Sequence, residues 1–139
     1  MLEKLEELYD QIRNCENCQL KELCSVNSEL VLGWGNESAQ ILFVARNPAE
    51  KRKGNLCFGE QDPINGRVFA RLLSEVGLER NDVFATNLVK CSTPENRELE
   101  SDEIDVCSSW LFDEMEIIQP RIIIAVGKQA AQFFKVQFG

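Results

Sequence analysis

"VFATNLVKCSTPENRELESDEIDVC" (residues 83–107) passes from a short apolar segment through a polar loop into a helical pattern, with one cysteine on each side of the loop. "VFATN" (83–87) is the kind of brief, continuous apolar run expected of a strand covered on both faces. From residue 102 to 118 the apolar positions change period: Ile104, Cys107, Leu111, Met115 and Ile118 recur at helical spacing, so Cys107 faces inward with Ile104 and Leu111. The same alternation continues in both directions. "ILFVA" (41–45) precedes a helical stretch, "GRVFARLLSEVG" (66–77), whose predicted apolar stripe is Val68, Phe69, Leu72, Leu73 and Val76. "IIIAV" (122–126) follows Pro120, which stops the second helix, and "KQAAQFF" (128–134) begins a third after Gly127. Strand, helix, strand, helix, strand predicts a short parallel sheet with right-handed crossovers, in a three-layer α/β/α arrangement.

The 139 residues suffice for one domain spanning 1–139 that buries a core without disulfide staples. Leu2, Leu5, Leu8 and Ile12 predict an amphipathic first helix that delivers Cys15 from its end. That N-terminus is acidic where a secretory leader would be basic, and no stretch approaches the roughly 18 apolar residues of a membrane span. The expectation is a cytoplasmic protein, where six cysteines read as metal ligands or reactive thiols more readily than as bridges.

A formal charge of -8, from 23 acidic and 15 basic residues, argues against a surface that binds nucleic acid indiscriminately. The acidic run over residues 95–116 reads as a solvated helix face. Basic residues gather instead in "ARNPAEKRKG" (45–54), where Arg46, Lys51, Arg52 and Lys53 form a candidate phosphate-facing surface. In an open parallel sheet, ligands bind beyond the carboxyl ends of the strands. Those ends are Arg46, Asn47 and Pro48 after the first strand, Asn87 after the second and Gly127 after the third.

"CENC" supplies Cys15 and Cys18, and the opening stretch supplies Cys91 and Cys107. Four thiolates drawn from a turn after the first helix and from a distant crossover would pin that helix to the sheet. They suit either a 4Fe-4S cluster or a structural zinc, and spacing alone does not choose between them. Cys24 could replace one of the four, and Cys57 reads as a buried filler.

Three stretches carry a resemblance: "TNLVKCSTPENRELESDEIDVC" (86–107), "GWGNESAQILFVARNP" (33–48) and, more weakly, "IQPRIIIAVGKQAAQFF" (118–134). Together they are similar to the iron-sulfur, family 4 type of uracil-DNA glycosylase, from Cys15 to about Phe134. The resemblance implies a 4Fe-4S cluster held by Cys15, Cys18, Cys91 and Cys107. It also implies DNA containing uracil as partner, single-stranded or mismatched, with hydrolysis of the N-glycosidic bond. Such an enzyme flips the nucleotide out, stacks the base on an aromatic ring and reads its edge by hydrogen bonds. Phe58 in "GNLCFGEQ" matches the stacking aromatic, and Asn87 matches the asparagine that reads the uracil edge, a carboxamide offering both donor and acceptor.

The pattern also departs from the family. Its active-site loop usually reads Gly-Glu-Ala-Pro-Gly; here "ARNPA" (45–49) puts Arg46 in the glutamate's position. Asn47 falls on the asparagine that positions water in the related mismatch-specific branch. The chain contains no histidine, whereas family members continue into a further strand and a His-Pro motif that stabilises the uracil anion. The expectation is therefore a three-stranded sheet with an edge strand missing, which a protein partner could complete. The loss of one anion-stabilising donor is expected to slow catalysis by about a hundredfold to a thousandfold. The alternative is an impaired glycosylase-like iron-sulfur module that binds DNA or protein.

Overall fold

A computed structural model describes residues 2–14, 32–48, 58–59, 62 and 64–139. Its helices are α1 (Leu2–Arg13), α2 (Asn65–Glu75), α3 (Ser101–Ile118) and α4 (Lys128–Phe138). Its strands are β1 (Trp34–Gly35), β2 (Ile41–Ala45), β3 (Val83–Asn87) and β4 (Ile122–Ala125). The three apolar runs form the expected parallel core: β2 pairs with β3 from Ile41↔Val83 to Ala45↔Asn87, and with β4 from Ile41↔Ile122 to Val44↔Ala125.

The sheet is nonetheless four-stranded and mixed, in the order β1-β3-β2-β4. The expected three-stranded parallel sheet is corrected here by β1, which pairs antiparallel with β3 through Trp34↔Ala85 and Gly35↔Phe84. Two residues are too few to show a period of two, which hides such a strand in the sequence. Gly35 makes the pairing feasible, since its φ of 122° suits glycine and a Cβ there would strike the Val83 carbonyl.

Alternation along the strands divides the molecule into two sides. Leu42, Val44 and Phe84 face α1 and α3, and join Leu5, Leu8, Ile12, Cys107, Leu111 and Ile118 in the larger core. The α1 stripe is buried as predicted at Leu5, Leu8 and Ile12. Ile41, Phe43 and Val83 face α2, meeting Phe69 and Leu73 in a smaller, aromatic core. α4 packs on the larger side through Phe133.

Three sequence expectations change. On α2 only Phe69 and Leu73 of the predicted stripe are buried; Val68, Leu72 and Val76 are more than half exposed. On β4, Ile122 is 53% exposed, so this strand is not covered on both faces as β3 is. The acidic face of α3 is also not uniformly solvated: Glu103 and Glu114 are fully buried. No helix of the described residues is long and apolar enough to cross a membrane.

Candidate functional site

The carboxyl ends of β2 and β3 lie side by side, because Ala45 pairs with Asn87. Beyond them the chain segments continue to hold each other: the Leu88 amide donates to the Ala45 carbonyl at 2.8 Å and the Val89 amide to that of Arg46 at 3.1 Å. Arg46 and Asn47 therefore sit against the start of the cysteine loop.

Both ends of the Asn47 carboxamide are engaged there. Nδ2 donates to the Cys91 carbonyl at 3.1 Å, with Thr93 Oγ1 at 3.5 Å, and Oδ1 accepts from Arg46 Nε at 2.9 Å. Arg46 reaches on through Nη2 to the Asn96 carbonyl at 3.1 Å. That contact braces a tight turn in which Glu95 and Asn96 both have left-handed φ, 54° and 57°. Such backbone costs a non-glycine residue about 1–2 kcal/mol and persists only where neighbours fix it. Thr93 Oγ1 donates to the Arg97 carbonyl at 2.7 Å, and Arg97 grips buried Glu103 through two bonds of 2.8 Å. Gln129 of α4 clasps Leu99 in both directions. The loop between the two cysteines is thus fastened at Thr93, Asn96, Arg97 and Leu99.

Asn87 ends β3 and is 2% exposed. Its main-chain carbonyl accepts from Lys90 Nζ at 2.7 Å, whereas no hydrogen bond of its carboxamide occurs among the described residues. By register Asn87 shares a sheet face with Ala45, Phe43 and Ala85, the face covered by α2.

Phe58 is on that same side. Its ring stacks on Phe69 with centroids 5.0 Å apart and planes at 23°, while Phe43 and Trp34 meet Phe69 edge-on. Phe58 is half-buried, with φ at 55°. Its conformation is held by Arg80, whose guanidinium donates to the Phe58 carbonyl at 2.5 Å and to that of Gly66 at 2.7 Å, and lies 5.1 Å from the Trp34 ring centre. Gly66 is needed for this approach, because a Cβ there would collide with the Gly59 carbonyl. Sequence reading assigned Arg80 nothing; a lone arginine in "GLERND" gives no signal of a carbonyl clamp.

Of the four predicted metal ligands, Cys91 and Cys107 are described, and Cys15 and Cys18 lie outside the described residues, as do Lys51, Arg52 and Lys53. The Lys90 amide donates to Cys107 Sγ at 3.3 Å, which brings the sulfur of the α3 cysteine beside the chain at Cys91. Cys107 is a buried thiol and Cys91 is disulfide-bonded. Among the described residues no group of three or more potential ligands occurs. The chemistry of this half still fits a thiolate-held centre: two cysteines close together, an N–H directed at one sulfur, and a largely dry setting.

Residues 32–138 match the profile of the Uracil DNA glycosylase superfamily. The chain belongs to that superfamily. It is 37% identical over 135 residues to a type-4 uracil-DNA glycosylase of Saccharolobus solfataricus, covering 95% of this chain and 59% of that one. It is 34% identical over 134 residues to a type-4 uracil-DNA glycosylase of Archaeoglobus fulgidus, covering 95% and 64%. A 117-residue stretch is also 35% identical to part of a DNA polymerase of Bacillus phage SP01, covering 82% of this chain and 12% of the polymerase. The chain therefore spans about three fifths of the length of those two glycosylases.

One group of buried side chains was unassigned in the sequence. Lys90 and Glu114 form an ion pair, 1% and 0% exposed, joined by Thr86 and by Tyr9 of α1. Burial and then the Glu114 charge hold the Tyr9 hydroxyl protonated far above the ordinary tyrosine range. Lys90 and Glu114 stand in the opening stretch and in the acidic run, where their types suggest solvent.

Proposed function

We propose that this superfamily member, acting in the cytoplasm as one domain, excises uracil from single-stranded or mismatched DNA by hydrolysing the N-glycosidic bond. The observation that carries this reading is Asn87. A carboxamide without protein hydrogen bonds among the described residues ends the central strand, on the same sheet face as an aromatic ring already backed by a second ring. An extruded pyrimidine needs that pair of partners, a π-face to stack on and a donor-acceptor edge to read.

In this reading Phe58 stacks on the base, with Phe69 behind it to limit ring movement. Asn87 offers Nδ2 and Oδ1 to the uracil edge, and its donor stabilises the oxygen that gains charge as the base departs. Asn47 Oδ1 has two lone pairs; one is taken by Arg46, and the other orients the attacking water. Arg46 supplies positive charge beside the pocket, where a DNA phosphate or the departing anion would approach. Cys15, Cys18, Cys91 and Cys107 would hold a 4Fe-4S cluster, with zinc as the alternative, and that group supplies cross-links between chain segments. β4 is an edge strand, and a protein partner adding a strand there would complete the sheet.

The test is base release from uracil-containing oligonucleotides, single-stranded and in U·G and U·A pairs, by protein reconstituted anaerobically with iron and sulfide. Uracil release that disappears on Asn87→Ala supports the reading; DNA binding with no release from any substrate refutes it.

A second reading is favoured by Asn47, whose carboxamide is held at both ends by Arg46 and by Cys91. As a fastener it would serve a DNA- or protein-binding module, and the likeness to one segment of a phage polymerase suits a module working beside DNA synthesis. That reading expects uracil binding without cleavage.

A further inference from the structure

Lys90 touches both halves of the proposed site without belonging to either. Its main-chain amide donates to Cys107 Sγ at 3.3 Å. Its side chain doubles back, and Nζ donates to the Asn87 carbonyl at 2.7 Å, to Thr86 Oγ1 at 2.8 Å and to Glu114 Oε1. Three donors meet three acceptors, so the ammonium group is fully satisfied. Glu114 in turn accepts from Tyr9 Oη and Thr86 Oγ1, both at 2.9 Å through Oε2. The ion pair links α1, β3, the cysteine loop and α3.

Stability does not account for such an arrangement. Taking two charges out of water is so costly that an apolar pair of similar volume is commonly as stable or more so. What an apolar pair could not do is grip the Asn87 carbonyl. The turn after β3 must leave the strand and reach the cysteine loop within three residues, and Lys90 fixes it at both ends. We propose that Lys90, oriented by Glu114, is a positioning residue for base recognition: it sets the turn that presents the Asn87 carboxamide, and ties that turn to the cysteine centre through Cys107. This rests on the reading of Asn87 given above, and goes beyond it by assigning a residue that touches neither base nor metal.

The discriminating variant is the double substitution Lys90→Met/Glu114→Gln. It removes both charges together, keeps an acceptor for Tyr9 and a partner for Thr86, and deletes the bond to the Asn87 carbonyl. Thermal unfolding and the visible absorption of the reconstituted protein report the fold and the centre. Calorimetric affinity for an oligonucleotide carrying non-cleavable 2′-fluoro-2′-deoxyuridine, against its 2′-fluoro-2′-deoxycytidine counterpart, reports recognition without turnover. We expect unchanged unfolding and absorption, a uracil-over-cytosine preference reduced about tenfold, and a lower kcat for uracil release. A milder variant, Thr86→Val, removes one Lys90 acceptor but keeps the ion pair, and is expected to weaken the same preference by a smaller factor. It carries the test should the double variant fail to fold. Unchanged preference and kcat in a folded variant overturn the proposal. A wild-type protein that does not prefer uracil overturns the reading of Asn87 and the proposal together, and that result is visible before any substitution is made.

Discussion

The two sides of the sheet are held together by different physics. On the side of α1 and α3, sixteen buried residues among those described form one core, and a fully buried ion pair with its hydroxyl partners runs through it. On the side of α2, the smaller cluster of the described residues buries Phe69, Leu73 and Val83 among half-exposed aromatic rings, with the Arg80 clamp as a polar fastening. The first side specifies a geometry, because each of its charges has one place to go. The second places the half-buried Phe58 ring and the buried Asn87 carboxamide on one sheet face, the face on which the proposed base recognition rests. A rigid polar core on one face and a sparser aromatic face on the other is the contrast on which the proposed recognition of a base relies.

Breaking the first side should have the largest effect. Lys90→Met alone strands the Glu114 carboxylate in the core, and removing one partner of a buried pair costs about 3–5 kcal/mol. Denaturant unfolding should show a loss of that size, whereas Lys90→Met/Glu114→Gln should unfold as the wild type does. A small loss for the single variant would mean that water reaches the pair, and the contrast between the two sides would fail.

Removing the Asn87 carboxamide should do the reverse, leaving the fold and taking the chemistry. Asn87→Ala is expected to lower kcat/KM for uracil release about a hundredfold to a thousandfold, with unfolding little changed because the main-chain bond to Lys90 persists. A drop confined to KM would mean that Asn87 binds ground and transition states alike.

A smaller effect is expected at the clamp. Arg80→Ala frees the carbonyls of Phe58 and Gly66 and removes the cation from the Trp34 face. Hydrogen bonds to a charged donor contribute about 1.5–3 kcal/mol each when buried, and these are only part-buried, so the expected total stability loss is about 2 kcal/mol. The more telling readout is KM for uracil-containing DNA, which should rise as Phe58 loses its fixed pose. An unchanged KM would separate Phe58 from base stacking.

The sequence made the parallel core legible because β2, β3 and β4 are continuous apolar runs bounded by helical patterns, and no other element order fits that alternation. It made Asn87, Asn47 and the cysteines legible as candidates through motif likeness and position at strand ends. It did not reveal β1, whose two residues have no periodicity, nor the ion pair, because composition assigns Lys90 and Glu114 to solvent and only the folded register brings them together across 24 positions. Arg80 was illegible for a related reason: its partners are main-chain carbonyls, which any residue supplies.

The least expected of these differences gives the mildest prediction. Helical spacing on α2 suggested five core residues, yet the axis is turned so that Phe69 and Leu73 meet the sheet while Val68, Leu72 and Val76 point outward, at 54%, 57% and 71% exposure. Two inward positions suffice because the aromatic rings of Trp34, Phe43 and Phe58 fill the volume that a wider stripe would occupy. Leu72→Lys should therefore change stability by no more than about 0.5 kcal/mol, as at other surface positions, and should leave uracil release unaltered. Phe69→Ala, three residues earlier on the same helix, should cost about 3–5 kcal/mol. If Leu72→Lys instead destabilises the protein by several kcal/mol, α2 is packed on its outer face too, and the sparser packing ascribed to that side of the sheet is wrong.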